Sequence, residues 1–186
     1  MIKIAIAFGV LVTATLIMKK PGMSYRQSVL KTLYPAIMWS SKSSGKKQIL
    51  TNKNNAASLA SFYSLSAKDI NGKEFKFSDL KGKKVLIVNT ASNCGYTGQY
   101  EALEKLAQQF GDKLVVIGFP SNDFKEQEAG ANTDIASFCK KNYGVTFPLM
   151  EKSVVIKGHD QNEVHKWLSD MTINGWCHQE PAWNFC

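Results

Sequence analysis

The chain has 186 residues and carries 23 Lys/Arg against 15 Asp/Glu, a net charge of +8. Its length suits one globular domain with an adequate core and an extension. The charge is lopsided: residues 1–68 hold ten bases and no acid, and the rest holds 13 bases against 15 acids, so the net charge gives no support to a DNA-binding domain.

Residues 4–18 are continuously apolar apart from two threonines, with Lys3 before and Lys19-Lys20 after. Fifteen helical residues reach roughly 22 Å, short of a ~30 Å hydrocarbon core, so a span needs Ile2 and snorkelling lysines. The reading is an N-terminal membrane anchor over residues 1–20, with a cleaved signal segment as the alternative. Lys19, Lys20, Arg26 and Lys31 then place the following domain on the cytoplasmic side; a purely cytoplasmic or an exported protein is the alternative. From Tyr25 to Trp39, Leu30, Leu33, Tyr34, Ile37 and Met38 share one helical face, which fits an interfacial helix and an ordinary packed helix equally, with a kink at Pro35. Residues 40–60 read as a flexible basic linker, so residues 21–60 form a basic amphipathic segment and linker and the domain is 61–186.

Within the domain, Phe62–Ala67 and Glu74–Phe77 alternate around Asn71-Gly72, which predicts a hairpin with a type I′ turn. Val85-Leu86-Ile87-Val88 predicts a strand buried on both faces, followed by a helix with Leu103, Leu106, Ala107 and Phe110 on its inner face. Lys113–Phe119 predicts a second buried strand parallel to the first, giving an α/β fold. A helix over Thr133–Tyr143, extended segments at Phe147–Met150 and Val154–Ile156, and a helix presenting Val164, Trp167 and Leu168 complete the pattern, ending in an aperiodic aromatic tail.

Four cysteines, Cys94, Cys139, Cys177 and Cys186, match no zinc spacing and contain no C-x-x-C pair; three histidines show no metal spacing either, so neither metal nor cofactor is expected. Cys94 falls between the end of a strand and the start of a helix, where free N–H groups and the helix dipole favour a thiolate. Cys139 lies one helical step from Ile135, on the buried face of its helix.

The blocks V-N-T-A-S-N-C-G-Y-T, G-F-P-S-N-D-F-K-E-Q-E, F-C-K-K-N-Y-G-V-T-F-P-L-M and the late W-N-F, in that order, resemble the glutathione peroxidase family in its cysteine-type members. The resemblance implies a thioredoxin-like fold and a thiol peroxidase that reduces hydrogen peroxide or organic hydroperoxides through a cysteine sulfenic acid, as in a response to oxidative stress. It implies Cys94 as the peroxidatic cysteine, Gln127, Trp183 and Asn184 as its site companions, and Cys139 as a resolving cysteine recycled by thioredoxin or glutathione. An indole N–H and carboxamides suit this work: they stabilise developing charge without binding the thiolate into an inert ion pair.

The chain departs from the family at Ala129, where proline is usual, and at Asp123, where glutamine is common. Arg26 is its one arginine and lies before the domain, which favours thioredoxin over glutathione; a short segment between Leu168 and Trp183 favours a monomer. The family's closing hairpin and helix do not follow W-N-F, which implies an exposed sheet edge. Two rival readings are a peroxide sensor that passes a disulfide to a partner protein and a membrane-bound scaffold with impaired catalysis. Cys177 and Cys186 match no family site.

Overall fold

The computed structural model describes residues 22–43 and 49–186, with side chains omitted at 41–43. The apolar run at 4–18 and residues 44–48 of the expected linker lie outside the described residues, while residues 40–43, expected as linker, continue the first helix. Helix α1 (Tyr25–Ser43) is followed by an irregular segment and then by the domain. There, short 3-10 turns at Phe62–Ser64 and Phe77–Leu80 flank strands β1 (Ser66–Lys68) and β2 (Glu74–Lys76). The main unit is β3 (Lys84–Thr90), α2 (Gln99–Phe110) and β4 (Leu114–Pro120), followed by α3 (Asn132–Tyr143), α4 (Glu163–Ser169) and α5 (Met171–Asn174).

Strands β3 and β4 run parallel in continuous register from Lys84↔Leu114 to Thr90↔Pro120. The other edge of β4 takes the extended segment around Leu149: Gly118 N–H donates to Pro148 O at 2.9 Å and Met150 N–H to Gly118 O at 2.8 Å. Gly118 lets the two segments approach closely, since a Cβ there would meet the tip of the Leu149 side chain at 2.6 Å and force it to shift. That segment joins the β1–β2 hairpin through Glu151 N–H to Lys68 O at 3.0 Å.

Alternation along β4 builds the two faces. Val116 faces a core with Tyr100, Leu103, Ile135, Phe138, Cys139 and Phe147 under α2 and α3. Ile117 and Phe119 face a second core with Phe77, Leu80, Met150, Val155 and Val164 under α4. Each large apolar side chain buried this way contributes about 1.5–3 kcal/mol.

Several expectations need correction. The hairpin loop is longer than a two-residue type I′ turn: Asp69 Oδ1 accepts from Asn71 N–H and Lys73 N–H at 2.9 Å, and only Gly72 has positive φ there, at 83°. Residues Phe62–Ser64 are helical rather than extended, with the Ser61 side chain capping Tyr63 N–H. Strand β3 is only half-buried at Val85, Leu86 and Ile87, and becomes fully buried from Val88 to Thr90. The inner face of α2 is Tyr100, Leu103, Glu104 and Ala107, while Leu106 and Phe110 are exposed. Glu104 is buried because it caps a neighbouring loop, accepting Thr146 N–H at 2.7 Å and Thr146 Oγ1–H at 2.6 Å. Burial alone would raise the Glu104 carboxyl, but these bonds, with Gln108 and Phe147, hold it below its ordinary value. The later half of the expected linker is partly fixed, since Leu59 N–H reaches Ile173 O at 2.9 Å and Trp167 Nε1–H reaches Ala60 O at 2.8 Å.

Helix α1 is a packed helix. Met23 and Ser28 are buried, and Lys31 Nζ donates to Asn142 O at 2.9 Å while sitting 4.2 Å over the Tyr143 ring. No helix among the described residues is long and apolar enough to cross a membrane.

Candidate active site

The chain leaves β3 through Ala91-Ser92-Asn93 and turns at Cys94 before α2 begins. Thr97 shapes that turn: its hydroxyl donates to Cys94 O (2.7 Å) and Ala91 O (2.9 Å) and accepts Cys94 N–H at 3.1 Å. The turn aims Tyr96 N–H at Cys94 Sγ, 3.4 Å away. Cys94 therefore sits one turn ahead of α2, and its nearest donor is a loop N–H rather than the helix end.

The second half of the site arrives from the other end of the chain. Asn89, fully buried at the end of β3, holds the segment Trp183–Cys186 along that strand. Its Nδ2–H donates to Trp183 O at 2.9 Å, its carbonyl accepts Phe185 N–H at 2.7 Å, and its Oδ1 accepts Cys186 N–H at 3.0 Å. So anchored, the Trp183 indole and the Asn184 carboxamide both come near enough to the Cys94 thiol to favour its charged form. Asn184 Nδ2–H also donates to Gln127 Oε1 at 2.9 Å. Trp183 is flanked by the Phe124 ring, 5.7 Å between centroids, and by Lys125 Nζ at 5.5 Å.

The loop carrying Gln127 is clamped to the cysteine loop: Asn93 N–H donates to Gln127 O at 3.0 Å and Ser92 Oγ–H to Glu128 Oε2 at 3.0 Å. Lys125, Glu126 and Phe185 all take left-handed backbone conformations, at φ 54°, 52° and 61°. Such conformations are uncommon outside glycine and concentrate at functional sites. Here they immediately flank Gln127 and Asn184.

Of the predicted residues, Trp183 and Asn184 are the ones whose side chains act on the Cys94 thiol. Gln127 stands behind Asn184 and is not among the groups acting on the sulfur. Cys139 lies in the last turn of α3, fully buried beside Tyr100, and is reduced, as is Cys94. Cys177 and Cys186 lie at or near the surface. Among the described residues, no three His, Cys, Asp or Glu side chains gather to hold a metal ion.

The electrostatics correct one expectation. The Cys94 thiol is pushed above its ordinary value, because burial outweighs the donors; Tyr96 N–H, Trp183, Asn184 and the charge of Arg26 all pull the other way. Arg26 lies before the domain in sequence, yet α1 brings its charge to bear on the site. The same helix sets the Tyr34 ring where a Cβ on Gly98 would come within 2.5 Å, and Ile37 3.5 Å from one on Gly95. Reading the sequence by domains missed the bearing of Arg26 on the site, and the anchoring roles of Asn89, Ser92 and Thr97 were not foreseen. The only signal for these was their position in the same block as Cys94.

Residues 62–169 match the glutathione peroxidase family. The chain belongs to that family. It is 50% identical over 125 residues to the glutathione peroxidase-like peroxiredoxin GPX5 of Chlamydomonas reinhardtii, covering 67% of this chain and 76% of that one. It is 46% identical over 126 residues to the glutathione peroxidase-like peroxiredoxin 2 of Saccharomyces cerevisiae, covering 67% and 77%. Among solved structures it resembles apo Trgpx, with a TM-score of 0.50 at 37% identity, over 69% of this chain and 76% of that one. The fold is thioredoxin-like, and this glutathione peroxidase relative is an oxidoreductase that reduces peroxide through a cysteine.

Proposed function

We propose that Cys94 is the peroxidatic cysteine and that Trp183 and Asn184 stabilise the charge on its sulfur and on the departing oxygen. The observation that carries this reading is the convergence of both donors on one buried thiol from a segment about ninety residues away, held there by Asn89. The Cys94 thiolate attacks one peroxide oxygen, the O–O bond breaks, and the other oxygen leaves as water or alcohol after taking a proton. Cys94 is left as a sulfenic acid. Gln127 is a positioning residue that orients the Asn184 carboxamide through the 2.9 Å bond. Burial keeps the thiol protonated at rest, and approach of peroxide shifts the balance to the thiolate, for which four stabilising groups are already in place.

Cys139 then resolves the sulfenic acid. A disulfide needs Cα atoms within roughly 7 Å, so the end of α3 loosens. Only its last turn is involved, because α3 ends at Gly144, whose left-handed φ of 65° lets its N–H cap Cys139 O and Lys140 O. The resulting disulfide is reduced by thioredoxin in preference to glutathione, since Arg26 is the single arginine and lies ahead of the domain, leaving no arginine cluster to receive glutathione's carboxylates. The domain acts as a monomer, and residues 4–18 attach it to a membrane with the site facing the cytoplasm. The same two cysteines serve a sensor equally well, and turnover separates the two functions. Peroxide consumption coupled to thioredoxin or to glutathione, with Cys94→Ser as control, tests the reading. Turnover with thioredoxin that vanishes in the variant is expected; equal consumption by the variant would overturn it.

A further inference from the structure

Helix α1 precedes the part of the chain that matches the family, yet it packs on the elements that carry both Cys94 and Cys139. Its second half lies over the turn of Cys94: the Tyr34 ring stands where a Cβ on Gly98 would meet it at 2.5 Å, and Ile37 lies 3.5 Å from a Cβ on Gly95. At its other end, Met23, just ahead of the helix, is buried in the core that also holds Phe138, Cys139 and Tyr143. Between these two contacts Lys31 joins α3 to α2. Its ammonium donates to Asn142 O at 2.9 Å, sits 4.2 Å over the Tyr143 ring, and pairs with Glu101 in the first turn of α2 at 3.3 Å. The Lys31 side chain is only 18% exposed, so solvent and salt screen these contacts less than they would a surface pair.

The end of α3 draws on that support. A helix leaves its last carbonyls without donors of its own. Gly144 N–H serves Cys139 O and Lys140 O, and Lys31 serves Asn142 O. A cation at this end of a helix is favoured by the helix dipole as well. Against this, Asn142 Oδ1 is buried and accepts no hydrogen bond among the described residues. Unwinding the turn would relieve that cost by giving the oxygen to water. The last turn is therefore held in part by a side chain from outside the domain.

We propose that Lys31 is a positioning residue that clamps the last turn of α3, so that its release sets how fast Cys139 reaches Cys94. The inference rests on Cys139 being the resolving cysteine. While Lys31 bridges α2 and α3, Cys139 stays in its core and the Cys94 sulfenic acid persists. When the ammonium leaves Asn142 O, the turn unwinds. The Cys139 sulfur gives up its proton and bonds to the Cys94 sulfur, the S–O bond of the sulfenic acid breaks, and the oxygen leaves as water with a proton. The peroxide already consumed is the only oxidant this step needs.

The test is acid-quench mass spectrometry on the full chain mixed with one equivalent of hydrogen peroxide, timing the Cys94 sulfenic acid and the Cys94–Cys139 disulfide separately. Lys31→Met is expected to speed disulfide formation about tenfold while leaving sulfenic acid formation within about twofold. Lys31→Arg should restore the slow rate, since a guanidinium can serve the same carbonyl, carboxylate and ring. Glu101→Gln, at a side chain 54% exposed, should speed disulfide formation roughly two- to fivefold, and serves if Lys31→Met folds poorly. A change of both steps by one factor, as general loosening of the fold would give, overturns the proposal. Unchanged or slower disulfide formation in the folded variants overturns it too, while leaving Cys139 as the resolving cysteine. An unmodified chain that forms the sulfenic acid but never the disulfide removes that assignment, and the proposal with it.

Discussion

Cys94 and Cys139 are both fully buried and both reduced, yet their surroundings differ in kind. Around Cys94 the stabilising groups come from three directions: its own loop, Trp183 and Asn184 from the far end of the chain, and the Arg26 charge from α1. Around Cys139 there is apolar core and a single hydroxyl, and the thiol is pushed up to about 12. Burial by itself makes a cysteine inert; reactivity depends on what is arranged to receive the charge. The contrast assigns the attacking role to the cysteine with preorganised donors and a delayed role to the one that must leave its core.

Substitutions can break this contrast, and the largest effect is expected at the sulfurs. Cys94→Ser should reduce peroxide turnover to background, whereas Cys139→Ser should leave the first oxidation intact and carry Cys94 on to sulfinic acid, read as a gain of two oxygens by mass spectrometry. Next come the donors. Trp183→Phe or Asn184→Ala should slow sulfenic acid formation by about 100-fold in single-turnover assays, the usual cost of losing one preorganised donor. Asn89→Ala should combine a similar loss with destabilisation of about 1–3 kcal/mol in urea unfolding, because it frees two backbone groups of the Trp183–Cys186 segment, Trp183 O and Cys186 N–H.

The buried acid has a signature in stability. A carboxyl raised from about 4.3 unfolded to about 7 folded stabilises the protonated fold. That contribution is fully present below the unfolded value and is lost as pH rises through about 7. Glu128→Gln should therefore flatten the pH dependence of the urea midpoint between pH 4.5 and 7.5. The smallest effect belongs to Arg26, which is exposed: Arg26→Gln should slow Cys94 oxidation roughly two- to five-fold at low salt and less at high salt.

Much of the scaffold was legible in the sequence because it rests on local pattern. Unbroken apolar runs marked β3 and β4, and the single-step spacing from Ile135 placed Cys139 in the core. The face of α2 was misread because Tyr100 and Glu104 count as polar by type, yet the core takes both, one for its ring and one to bind Thr146. The site residues were named by likeness to a family; their geometry was not legible. No local pattern announces that Asn89 will anchor a segment ninety residues on, or that Lys125, Glu126 and Phe185 will turn left-handed around it. Nor does a basic helix ahead of the domain announce that its arginine will act on Cys94.

Differential alkylation tests the central contrast most directly. The reduced chain is labelled with light iodoacetamide at pH 7.5, treated in parallel with one equivalent of hydrogen peroxide, and mapped by mass spectrometry. The surroundings described above predict that Cys94 labels at least about ten times faster than Cys139, and that the oxidised sample contains a Cys94–Cys139 disulfide. Equal labelling of the two thiols, or a Cys94 sulfinic acid beside a free Cys139, would contradict the account.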